Sequence, residues 1–259
     1  MTTFSYSLLM RGRPITLAAL IGLVALVLTA CNTPARGNDA SILLFTGAGT
    51  SPGDISAVEN ILDRTHLDYA TATSPQLNRL TASQLMTYRL VIVPGGNFMD
   101  MSASLTPQTA ARIHDAVQSG VNYLGICAGA FLAGDGRGYY RSFNLAAGVR
   151  FGFYSAEARG VRKAAVAITR VNGAAIEHYW EDGPELSGWG TVVGKYPDGT
   201  PAVVEGTSGH GWVMLVGVHP EAPETWRRGM TFTTPVTAAN AYAETLVQAA
   251  LTRTWLPHF

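Results

Sequence analysis

Charge is scarce in this sequence and it cancels. Eighteen Lys and Arg stand against eighteen Asp and Glu in 259 residues, 14% charged in all. No basic cluster interleaved with aromatics appears, so nucleic acid is not expected as a partner. Cysteine is scarcer still, with only Cys31 and Cys127. The first closes an apolar leader, so the two are better explained separately than as a disulfide. One remaining cysteine and scattered histidines give no metal-ligand spacing, and neither metal nor cofactor is expected. Internal repeats and low-complexity tracts are absent. What is present, 47% hydrophobic residues and 28 glycines, fits one sizeable domain with many tight turns behind a leader.

Residues 1–14 carry Arg11 and Arg13 and no acid, and Ile15 to Ala30 is almost wholly apolar. This has the form of a secretory signal, and it is short for a membrane span. It ends in Leu28-Thr29-Ala30-Cys31, which resembles the lipobox of bacterial lipoproteins. The resemblance implies a signal peptide over 1–30, a lipid on Cys31 and a flexible tether over 31–38. The alternative is an uncleaved anchor helix. Residues 39–259 would then form an extracytoplasmic domain held at a membrane by the lipid. A lone unpaired thiol in an oxidising compartment is a liability, so Cys127 points to a function.

Short apolar runs at Ser41–Thr46 and Leu90–Val93 predict buried strands, and Leu67–Thr71 a further strand. Helical spacing of Ile55, Val58, Ile61 and Leu62 predicts a helix over 54–64. Thr106-Pro107 caps another that runs to about Ser119. Strand and helix alternate here, which predicts a mainly parallel sheet with helices on both faces. The second half changes texture. Five strands separated by turn signals, from Val161 to Val218, predict antiparallel additions. Trp212–Val218 is apolar enough for a central strand. A closing helix spans Thr237 to Thr252, with Asn240, Glu244 and Gln248 on its solvated face.

The chain is organised around Val121-Asn122-Tyr123-Leu124-Gly125-Ile126-Cys127-Ala128-Gly129-Ala130. A buried strand runs into Gly-x-Cys-x-Gly and then a small-residue helix, as a nucleophile elbow requires. Gly125 and Gly129 leave room for neighbouring backbone, and the helix start favours a thiolate at Cys127. A thiol nucleophile needs a base, and the base needs an orienting acceptor. His219-Pro220-Glu221 closes the Trp212 strand and offers both. The other histidines, His66, His114, His178, His210 and His258, have no special context and read as surface or satisfied structural residues. Backbone N–H groups of Ala128 and Gly96, the latter from Pro94-Gly95-Gly96 at the end of a neighbouring strand, would form an oxyanion hole.

Gly125-Ile-Cys-Ala-Gly129, Val93-Pro-Gly-Gly96 and His219-Pro-Glu221 resemble the class I glutamine amidotransferase superfamily. Tyr123–Phe131 is similar to the amidotransferase-like domain at the N-terminus of eukaryotic biotin–protein ligases. So are Tyr179–Pro184, Lys195–Ala202 and Gly217–Glu221. The resemblance implies an α/β, flavodoxin-like three-layer sandwich, with Cys127, His219 and Glu221 at the triad positions. Two departures matter. The elbow continues Gly129-Ala-Phe-Leu132 where glutamine-hydrolysing members often carry Gly-His-Gln, which argues against glutamine as the substrate. The Gly-Arg-Gly-Arg loop of a biotin ligase is also missing, which argues against biotin ligation.

Two functions follow. One is a cysteine-dependent hydrolase of a small-molecule or peptide amide. The other is a catalytically silent binding or regulatory module on the same fold.

Overall fold

A computed structural model describes residues 40–173 and 175–259. The expected signal peptide, the lipidation site Cys31 and the tether lie outside the described residues.

The elements follow in chain order: β1 (Ile42–Phe45), α1 (Pro52–Arg64), β2 (Tyr69–Ala72), α2 (Ser74–Arg79), α3 (Ala82–Leu85), β3 (Leu90–Val93), α4 (Phe98–Ser104), α5 (Pro107–Gln118), β4 (Asn122–Ile126) and α6 (Ala128–Ala133). The second half holds β5 (Gly152–Phe153), β6 (Lys163–Arg170), β7 (Ala175–Glu181), β8 (Pro184–Glu185), β9 (Thr191–Lys195), β10 (Pro201–Ser208), β11 (Gly211–Val216) and α7 (Val236–Thr252).

Nine strands form one sheet in the order β2-β1-β3-β4-β11-β10-β9-β6-β7. The first five are parallel and the rest antiparallel. The parallel half has the 2-1-3-4-5 order of the flavodoxin-like fold. β1, β3, β4 and β11 are buried throughout, because helices cover both faces. Alternate side chains of β1 enter opposite cores. Ile42 and Leu44 pack with α1 and α7, through Val58, Ile61, Leu246 and Val247. Leu43 and Phe45 pack with the other layer, through Leu77, Ile113 and Phe131. The fold is thus a three-layer α/β sandwich.

Helix starts follow their caps. Ser51 accepts from the Asp54 N–H ahead of Pro52, and Thr106 accepts from the Thr109 N–H ahead of Pro107. α4 was not foreseen. Asn97 caps it by accepting from Met99 and Asp100 N–H.

One reading needs correction. Asn240 is buried, not solvated. Its amide donates to Pro220 O at 2.9 Å and to Ala222 O at 3.2 Å. Glu244 is half-buried and pairs with Arg64 at 2.9 Å, while Gln248 is exposed. Among the described residues, no helix is long and apolar enough to cross a membrane.

Candidate active site

Cys127 is the first residue off β4, and its backbone sits at φ 49°, ψ −103°. This resembles the first central position of a type II′ turn, which ordinarily takes glycine. A cysteine held there is strained. The neighbouring glycines make the turn possible. A Cβ on Gly125 would lie 2.6 Å from the Gly129 carbonyl, and one on Gly129 would lie 1.9 Å from Val93 O. Cys127 N–H donates to Val216 O at 2.8 Å, which ties the elbow to β11. The buried thiol donates to the Glu181 carbonyl at 3.5 Å.

His219 leaves the end of β11, and its N–H donates to Tyr179 O at 2.8 Å. Tyr179 and Trp226 flank the ring at 5.9 and 5.8 Å. His219 Nδ1 lies 2.9 Å from Glu221 Oε1 and 3.1 Å from Asp54 Oδ1. All three side chains are buried. Burial disfavours the charged imidazole, yet negative charge at Cys127, Glu221 and Asp54 outweighs it and raises the His219 pKa well above the usual histidine range. Burial also opposes ionisation of Asp54, but His219 beside it lowers the Asp54 pKa. At Glu221 burial wins over the attraction of His219, and its pKa rises.

Asp54 was missed in the sequence, where it served only to start a helix. Its signal was available. It stands in Ser51-Pro52-Gly53-Asp54, just past the carboxyl end of the first buried strand, where ligands of such sheets bind. The same reasoning had singled out Gly96 and Cys127.

These groups border a cleft of about 720 Å³. Cys127, Ala128, His219, Gly96 and Asp54 all line it, and Glu221 stands behind His219. Gly96 has φ +139°, and a Cβ there would meet Gly49 O at 2.2 Å. Flanking groups are stitched to the loop after β1, Ser51 N–H to Gly95 O at 3.2 Å and Asn97 N–H to Gly49 O at 2.8 Å. One wall is aromatic, with Phe98 stacked on Phe131 at 4.6 Å and Phe153 at 5.0 Å from Phe131. Arg162, Lys163 and Arg228 also line the cleft, and Arg162 is already paired with Asp182 at 2.5 Å.

Asp54, His219 and Glu221 are also the group of described residues that could hold a metal ion, with one donor atom each within 4.8 Å of the others. Their contacts lie at 2.9 and 3.1 Å, and of the three only Asp54 was not singled out from the sequence.

His178 departs from the sequence reading. It is buried, and neither ring nitrogen has a hydrogen-bond partner. Burial, with Arg170 and Arg227 nearby, lowers its pKa to about 3. The ring is therefore neutral and packs as a core group beside Tyr242, 5.4 Å away.

The strand order, the elbow and the cleft at the carboxyl ends of β1, β3, β4 and β11 define an amidotransferase-like α/β protein. Residues 40–177 match the family described as biotin–protein ligase, N-terminal, and the chain belongs to that family. No curated protein matches the sequence. Among solved structures, a glutamine amidotransferase is 16% identical with TM-score 0.51, over 70% of this chain and 90% of that one. A cytoplasmic protein from Salmonella typhimurium is 13% identical with TM-score 0.51, over 80% and 98%. An exo-β-1,4-mannosidase from Opitutaceae bacterium strain TAV5 is 15% identical with TM-score 0.52, over 81% of this chain but only 36% of the enzyme. Likeness at these identities is likeness of fold.

Proposed function

We propose that this protein is a lipid-anchored, extracytoplasmic cysteine hydrolase acting on an amide or related acyl bond. The observation that carries the reading is a strained cysteine at a strand-to-helix elbow, in one cleft with a histidine whose Nδ1 lies 2.9 Å from a buried glutamate. In this reading Cys127 gives its proton to His219 Nε2 and attacks the substrate carbonyl carbon. The N–H groups of Gly96 and Ala128 hold the oxyanion. The carbon–nitrogen bond breaks as His219 protonates the leaving amine, and a thioester to Cys127 remains. Water, deprotonated by His219, attacks the thioester and releases acid and thiolate. Glu221 orients the ring and stabilises its charged form. The aromatic wall favours a substrate with an apolar body. At the N-terminus, a lipid on Cys31 would hold the domain at a membrane; mass spectrometry of the mature N-terminus tests this, and an unmodified Cys31 in an intact leader would refute it.

The silent module is the second reading, favoured by the thiol's hydrogen bond to the Glu181 carbonyl. A panel of peptide and small-molecule amides decides between them. Hydrolysis by wild type that is lost in Cys127→Ala supports the enzyme. No turnover on any amide, with sluggish alkylation of Cys127 near neutral pH, supports the module.

A further inference from the structure

We propose that Asp54 is a second carboxylate partner of His219 Nδ1, a positioning residue that acts with Glu221 to orient the imidazole and stabilise its charged form. The inference rests on the reading of Cys127 and His219 as nucleophile and base. It goes beyond a three-residue triad, because the added group comes from a separate element, α1.

The geometry is direct. Glu221 Oε1 lies at 2.9 Å and Asp54 Oδ1 at 3.1 Å from the same nitrogen. Asp54 Oδ1 is buried and has no aligned hydrogen-bond donor, so the 3.1 Å approach to His219 Nδ1 is an ion-pair contact, while the Nδ1 hydrogen bond goes to Glu221. Both contacts are worth most when the ring is charged, since the bond to Glu221 is then charge-assisted and the buried Asp54 carboxylate gains an opposite charge at contact distance. A neutral ring would leave two buried carboxylates around a weak donor, at the cost of unpaired buried charge. The approach is built into the backbone. A Cβ on residue 95 would lie 2.1 Å from Asp54 Oδ1 and 2.6 Å from His219 Cε1. Gly95 thus leaves open the space that Asp54 and His219 use. Ser51 caps the helix turn that carries Asp54.

The other groups around the ring do not replace Asp54. Tyr179 and Trp226 offer aromatic edges, and the Tyr179 hydroxyl is spent on Glu181. The Arg162 guanidinium is paired with Asp182 and Glu157. The proton balance is internal. The proton leaving Cys127 Sγ goes to His219 Nε2, while the Nδ1 proton stays in the hydrogen bond to Glu221 beside Asp54.

Nitrogen-15 NMR of the histidine rings in the full chain, purified in detergent, tests this. In wild type the His219 imidazolium should persist well above the ordinary histidine range. Asp54→Asn should lower its titration midpoint by at least about one pH unit, the usual effect of removing an opposite charge at contact distance. Asp54→Glu should recover part of the shift. Cys127 alkylation near neutral pH should slow in Asp54→Asn and recover in part in Asp54→Glu. A purely structural role would slow alkylation and leave the His219 midpoint alone. Should Asp54→Asn fail to fold, Asp54→Ser gives the same readout. An unchanged midpoint overturns the proposal, as does stoichiometric metal bound by Asp54, His219 and Glu221. A shifted midpoint in a protein that hydrolyses no amide would uphold the role of Asp54 and refute only the hydrolase reading.

Discussion

Cys127 holds a backbone conformation that side chains avoid, and conformations of this kind cost about 1–3 kcal/mol. The strain belongs to the Cβ, so replacing the thiol with a methyl group does not release it. Cys127→Ala should therefore abolish turnover and change stability by at most about 1 kcal/mol, the cost of a small cavity. Cys127→Gly removes the Cβ. It should melt no lower than Cys127→Ala, although glycine ordinarily costs about 0.5–1 kcal/mol relative to alanine in regular structure. Thermal melts of the two variants check this, and a glycine variant lower by about 1 kcal/mol would mean an unstrained elbow. Gly95 carries the opposite expectation. In Gly95→Ala the new methyl meets Asp54 Oδ1 at 2.1 Å, both side chains must move, and the expected loss is about 2 kcal/mol together with the pairing at His219 Nδ1.

The elements place these residues through contacts that the hydrophobic pattern does not encode. α7 reaches across to the loop after β11 with Asn240, whose amide satisfies the carbonyls of Pro220 and Ala222 on either side of Glu221. Asn240→Leu should leave two buried carbonyls without a donor, at about 1–3 kcal/mol each if neither finds water. The denaturant midpoint should fall with an unchanged slope, and Cys127 alkylation should slow as the His219 loop loosens. A wild-type midpoint would show that the helix does not hold the loop. The same contact explains what could and could not be read from the sequence. The buried strands were legible because Ile42–Phe45 and Leu90–Val93 are apolar runs shielded on both faces. The elbow was legible because Gly125 and Gly129 flank Cys127 in sequence. Asn240 was not, since a polar side chain on an amphipathic helix reads as solvated until its partner is known, and Asp54 was legible only through its place past the carboxyl end of the first strand. α4 was hidden because Phe98–Ser104 is short and begins in a glycine turn. His178 had a usable signal. It shares a face of β7 with Trp180, two residues on, and both are fully buried.

Across the whole molecule, the chain ends by returning to the middle of the sheet. After α7, Leu256 N–H donates to Glu205 Oε1 at 2.8 Å, Phe259 N–H donates to Val192 O at 2.9 Å, and Trp255 meets Trp212 edge-on at 4.2 Å. Glu205 is buried on β10 under this tail, and its second carboxylate oxygen has no partner. Burial raises its pKa to about 7, only partly offset by the Leu256 N–H and by His258. Folding therefore takes up a proton at Glu205 between the ordinary carboxylate value of 4.5 and about 7. Its contribution is fully present below 4.5 and is lost as pH rises through 7. His178 acts in the opposite sense. Its pKa falls from 6.5 to about 3 on folding, so its contribution is present above 6.5 and is lost as pH falls through 3. The two slopes overlap between 4.5 and 6.5 and oppose each other there. Glu205→Gln keeps an acceptor for Leu256 and removes the titration. Relative to wild type, its melting temperature should gain from about pH 5 and level off above about pH 7, and only the rising limb of His178 should remain below pH 6.5. His178→Phe should do the reverse and expose the fall with rising pH due to Glu205. Parallel melting curves for wild type and Glu205→Gln across pH 5 to 8 would show that the buried carboxyl does not titrate in this range.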